Sequence, residues 1–179
     1  MTHDFQLYLE RSRGVLASTD LATIKGMLAG CVNVEKTNEQ QDREGIDYVA
    51  TLRKGATVLI DAKTRMRGCS RWWRHGPELA LETWSVRPDR NTPGKVGWTL
   101  NETTNVDYIL FIFDPTDTKE VFLYPFQLLR TTYRTHKAEW YDKYRVDIQD
   151  SGGWTSECVF VPESVVWEAL RQVMRRKHA

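Results

Sequence analysis

Cysteine is scarce in this chain of 179 residues. Cys31, Cys69 and Cys158 are an odd number, far apart, with no Cys-x-x-Cys pair, so neither a disulfide framework nor a zinc site is expected. The four histidines, His3, His75, His136 and His178, are as scattered. Any metal here would be a hard cation held by carboxylates. Long apolar runs are lacking too. The longest, Tyr108–Phe113, is bracketed by Asp107 and Asp114 and falls far short of the roughly 18 residues a membrane span needs. The opening Met-Thr-His-Asp-Phe has no basic stretch leading into an apolar one, so a soluble protein of the cytoplasm is expected. Excess charge of one sign is missing: 25 Lys and Arg face 24 Asp and Glu, for a net charge of +1. Any attraction to polyanions must therefore come from local asymmetry. No internal repeat, low-complexity stretch or linker interrupts the chain.

What is present is an ordinary globular composition, 41% hydrophobic and 27% charged, in a length that suits one domain with a sizeable core. The spacing predicts a helix over 4–16. A second, capped by Ser18-Thr19-Asp20, should run over about 20–29 and end at Gly30. Residues 33–45 are polar and read as a loop. The period then changes to two. Strands are expected at 46–52, 57–63, 79–86, 107–113, 120–124 and 144–149, with a short one near 157–161. A helix should cover about 126–142. A last helix should open at Pro162, with Val165, Val166, Ala169, Leu170, Val173 and Met174 at helical spacing. This order predicts an α/β (α+β) domain with a mixed sheet. The tryptophans Trp84, Trp140, Trp154 and Trp167 read as core or core edge.

The hairpin over 46–63 carries the most information. A two-residue loop at Lys54-Gly55 would pair Ile46 with Lys63 and scatter the apolar residues over both faces. A three-residue loop instead pairs Ile46, Tyr48 and Ala50 with Ala62, Ile60 and Val58. Because a one-residue slip flips every side chain, the apolar pattern selects this second register. Asp47 then faces Asp61, with Lys63 two residues further on the same side. Facing like charges destabilise a sheet, so the pair calls for a compensator, either Lys63 or a divalent cation.

These residues resemble a known family. Ile46-Asp47, a hairpin, then Asp61-Ala62-Lys63 is similar to the signature of the PD-(D/E)XK nuclease superfamily. Within it, Gln41-Asp42-Arg43-Glu44-Gly45-Ile46-Asp47-Tyr48 resembles phage-type and Holliday-junction-resolvase-like members. The resemblance covers mainly residues 41–67. It departs from the common pattern in Ile46 for Pro and in Asp61 for Glu. The bare acid-x-Lys triplet is not specific, since Asp117-Thr118-Lys119 has it too, in a turn sequence. The resemblance implies a restriction-endonuclease-like fold, a mixed central sheet flanked by helices in a single domain. It implies an Mg²⁺- or Mn²⁺-dependent nuclease acting on DNA. Asp47, Asp61 and the Ala62 carbonyl would bind metal, and Lys63 would assist the attacking water. Many members carry a further acid on the preceding helix, for which Glu10, Glu35 and Glu39 are candidates. Many also act as homodimers.

From Lys63 to Arg74 the chain has five basic residues and no acid, with Trp72 and Trp73 among them. Arg65, Arg67, Arg71 and Arg74 are therefore candidate nucleic-acid-binding residues, Arg65 and Arg67 first, while both tryptophans read as packing. Glu82 is a further candidate metal ligand but reads better as an ordinary strand residue. Two rival readings stand beside the nuclease: a catalytically silent module of the same fold that binds nucleic acid or a protein, and an unrelated α+β protein.

Overall fold

The computed structural model describes residues 10–12, 14–16, 19, 21–65, 68–114, 120–150 and 153–176, without the side chains of Glu39, Arg43 and Trp72. Along the chain run α1 (Leu21–Met27), β1 (Cys31–Lys36), α2 (Glu39–Arg43), β2 (Tyr48–Leu52), β3 (Thr57–Arg65), β4 (Glu78–Val86), β5 (Lys95–Val96), β6 (Tyr108–Phe113) and β7 (Val121–Pro125). Then follow α3 (Phe126–Lys143), β8 (Arg145–Asp150), β9 (Thr155–Pro162) and α4 (Glu163–Arg176). The chain is mixed α/β, and its described residues divide into two compact units, one within Leu9–Cys69 and Thr104–Gln127, the other within Ser70–Thr103 and Leu128–Ala179.

The first unit holds a five-stranded mixed sheet in the order β1-β2-β3-β6-β7. The pairs are antiparallel except β3 with β6, which runs parallel from Ile60 opposite Tyr108 to Arg65 opposite Phe113. A parallel pair needs a long crossover, and the chain supplies one between Arg65 and Tyr108. One face of this sheet is apolar by strict alternation: Tyr48 and Ala50, Val58 and Ile60, Leu110 and Ile112. Val15, Ile24 and Leu28, from the residues that precede β1, close over it.

The β2–β3 hairpin has the register that the apolar pattern selects, Tyr48 opposite Ile60 and Ala50 opposite Val58. The loop is three residues long, with the Leu52 amide donating to Ala56 O at 2.8 Å. Gly55 is left-handed as expected, and so is Lys54, at φ 79°, the one non-glycine with positive φ among the described residues. That conformation costs an L-residue about 1–2 kcal/mol. Lys54→Gly should therefore raise the melting temperature by about 2–4 °C. A fall would mean that the lysine side chain contributes more than its backbone costs.

The second unit holds an antiparallel sheet ordered β5-β4-β9-β8. Two helices belong to it, the greater part of α3 and all of α4, whose Val166, Ala169, Leu170 and Val173 are buried. A polar network lies inside it. The Thr83 hydroxyl meets those of Tyr133 and Tyr141, and Tyr141 donates to Glu157 at 2.7 Å.

Three expectations need correction. The polar segment 33–45 is not a loop but β1 and α2; β1 is an edge strand with only Val34 buried, too little alternation to read. Pro162 ends β9 rather than starting the last helix, and the ring's missing N–H is harmless at a strand end. Trp154 and Trp167 are exposed, at 42% and 39%. The helix expected over 4–16 is helical at residues 10–12 and 14–16; the rest of that stretch lies outside the described residues.

Candidate functional site

Asp47 reaches its place through a short chain of local choices. Asn38 caps α2, its side-chain oxygen accepting from Gln40 N and Gln41 N at 3.1 and 3.0 Å. The helix stops at once because Gly45 is left-handed, at φ 82°. Gly45 N donates to Asp42 O and Ile46 N to Gln41 O, so the turn is closed on both sides. The chain then enters β2, with Asp47 N donating to Ile60 O at 2.9 Å and Thr37 N to Asp47 O at 3.0 Å.

Asp47 lies just beyond the last ladder pair of β2 and β3, facing the Asp61-Ala62 step. Its carboxylate accepts from Ala62 N at 2.6 Å. On β3, Asp61, Lys63 and Arg65 share the face opposite the apolar one. Asp61 is buried, 4% exposed, and pairs with Lys63 at 2.7 Å. Burial pushes the Asp47 carboxyl up to about 6, and Asp61 and Asp42 add to that by repulsion; the Ala62 N–H and Lys63 oppose it. The site therefore carries more negative charge than its single ammonium offsets.

The expected residues thus part into two groups. Asp47, Asp61, Ala62 and Lys63 are brought together, and Arg65 ends the same strand, half-buried, with Asp114 N donating to its carbonyl at 2.8 Å. Arg71 and Arg74 are exposed and belong to the other compact unit. Arg67 lies outside the described residues, as does the Asp117-Thr118-Lys119 triplet. Glu82 is in that other unit as well, its carboxylate accepting from Ser85 Oγ at 2.7 Å and Trp98 N at 3.1 Å. Trp73 is half-buried, in keeping with packing.

Among the further acids, Glu10 is exposed on the first helical residues. Glu35 is exposed on β1 and accepts from Asn33 at 2.7 Å. The Glu39 side chain lies outside the described residues. The acid that does approach Asp47 is Asp42. It lines, with Asp47, Leu16, Lys36, Thr37, Asn38 and Tyr48, a cavity of about 220 Å³. Sequence reasoning passed over it because α2 read as loop. The Asn38-to-Gly45 frame, a capping residue and a glycine around five helical residues, was the available signal.

The donor set suits a hard divalent ion. It offers carboxylate oxygens and a carbonyl, and the excess charge at Asp47 is what such an ion would neutralise. Among the described residues no three His, Cys, Asp or Glu side chains form a ready-made metal cluster. An ion held here would complete its shell with water or substrate oxygens, as Mg²⁺ commonly does. No family model, no curated protein and no solved structure matches the chain.

Proposed function

We propose that this protein is a metal-dependent nuclease of the restriction-endonuclease-like PD-(D/E)XK kind that hydrolyses phosphodiester bonds in DNA. The observation that carries the reading is the convergence of Asp47, Asp61 and Lys63 at one end of the β2–β3 hairpin, in the register that the apolar pattern selects. Asp47 and Asp61, with the Ala62 carbonyl, would hold Mg²⁺ or Mn²⁺. The bound ion supplies charge neutralisation at the phosphate and acidifies water. The Ala62 N–H fixes the Asp47 carboxylate through one of its oxygens. Lys63 is held beside Asp61 and orients the attacking water while offsetting phosphate charge. Arg65, on the same face of β3, extends the cationic surface along the strand.

The test is cleavage of labelled linear, circular and branched DNA with Mg²⁺, Mn²⁺ or EDTA, beside an Asp61→Asn variant. Metal-dependent cleavage should fall about 10²–10³-fold in the variant, the scale of losing a group that acts on transition-state charge. Cleavage that survives the substitution would remove Asp61 from the chemistry. A second reading, a silent module of the same fold that binds nucleic acid, draws on the Lys63–Asp61 ion pair, which already satisfies one carboxylate without an ion. It predicts DNA binding with no cleavage under any metal.

A further inference from the structure

The cavity beside Asp47 is larger than an ion needs and is lined by unlike chemistry. Leu16 and Tyr48 give it an apolar wall. Asp42 and Asn38 bring side-chain acceptors, the latter already engaged by Gln40 N and Gln41 N. Lys36, the last residue of β1, is exposed. Its ammonium makes no ion pair among the described residues, although two carboxylates line the same cavity. An ammonium engaged by no carboxylate is available to an incoming anion. The cavity, about 220 Å³, has room for a single planar group the size of a nucleobase.

We infer that this cavity is a subsite for a single unstacked nucleotide: Lys36 takes the phosphate that flanks the scissile one, and the Leu16, Tyr48 and Asp42 walls take its sugar and base. The inference rests on the nuclease reading for its substrate class and deepens it. Lys36, exposed like Asn38 and Asp42, carries the one ammonium that lines the cavity and takes the phosphate. The base enters apolar surface and can donate an exocyclic amine to Asp42, as carboxylates accept from cytosine N4. A nucleotide reaches such a pocket from a single strand, a flap or a frayed end at low cost, whereas a paired base must first be extruded. The preferred substrate is therefore DNA with unpaired nucleotides at the cut.

The experiment compares wild type, Lys36→Ala and Lys36→Arg. Cleavage is measured on flap, single-stranded and blunt duplex DNA, and equilibrium binding of the same oligonucleotides is measured in EDTA over a salt series. Lys36 is exposed, so neither variant should disturb folding. KM on flap DNA should rise about 10-fold in Lys36→Ala with kcat within about 2-fold. The salt slope of binding should fall by about 1, because one phosphate fewer is neutralised. Lys36→Arg should restore both, and blunt duplex should be the poorest substrate. An active Lys36→Ala with unchanged KM and salt slope, or equal use of blunt duplex, overturns the subsite and leaves the nuclease reading standing. If wild type cleaves nothing, that reading falls. The subsite then stands if Lys36→Ala still loses single-strand binding and its salt slope, and falls if it does not.

Discussion

Asp47→Asn should make the metal-free protein more stable while abolishing the proposed cleavage of DNA. The Asp47 carboxyl is pushed up to about 6, first by burial and then by Asp61, from an ordinary value of 3.8. A carboxyl raised in the folded state contributes stability that is full below the unfolded value and is lost as pH rises through the folded one. For Asp47 that window runs from about pH 4 to about pH 6, and above it the ionised group costs the fold about 3 kcal/mol. An asparagine keeps the acceptor for Ala62 N and removes the charge. In EDTA at pH 8 the variant should gain about 2 kcal/mol, or about 4–8 °C in melting temperature. At pH 4 the two should melt together.

Divalent ions should reverse the order. An ion at 100 times its Kd adds about 2.7 kcal/mol to wild type and nothing to a variant that cannot bind it. Thermal melts at pH 4 and pH 8, with Mn²⁺ and with EDTA, make the comparison. A variant that melts below wild type in EDTA at pH 8 would show that the carboxylate stabilises the fold, and the case for a site strained toward function would fail.

Gly97→Ala should be the most damaging small substitution in the second unit. A Cβ at Gly97 would stand 2.4 Å from Glu82 O, 2.7 Å from its carbonyl carbon and 2.8 Å from its Cγ. Two of those atoms are backbone of β4, so relief requires moving the strand. The approach is fixed by three bonds: Gly97 N to Thr83 O at 2.8 Å, Trp98 N to Glu82 at 3.1 Å, and Ser85 Oγ to the same carboxylate at 2.7 Å. Overpacking of this kind costs about 3 kcal/mol or more, which corresponds to about 6–12 °C. The control is Gly26→Ala in α1, where nothing lies within 4 Å. There alanine should stabilise by about 0.5–1 kcal/mol through helix propensity alone. A Gly97→Ala protein that melts within about 2 °C of wild type would mean that the strand yields freely.

The residues alone determined most of the site. Alternation in Tyr48, Ala50, Val58 and Ile60 admits one register, and that register sets Asp47 toward Asp61 with Lys63 beside it. Period-two and period-3.6 patterns likewise located β3, β4, β6, α3 and α4 to within a residue or two, because each buries a whole face or stripe. Where burial is slight, the pattern is silent. β1 buries only Val34 and α2 is five residues long, so neither left a periodic trace. With α2 unseen, Asp42 and the cavity at Lys36 were unseen as well. The basic stretch is continuous in sequence, yet Arg65 ends a strand of one unit while Arg71 and Arg74 belong to the other. Local periodicity records what each segment hides from water. Which segments meet, and so which carboxylate shares a cavity with which lysine, depends on long-range pairing, which leaves no mark in any short window of the chain.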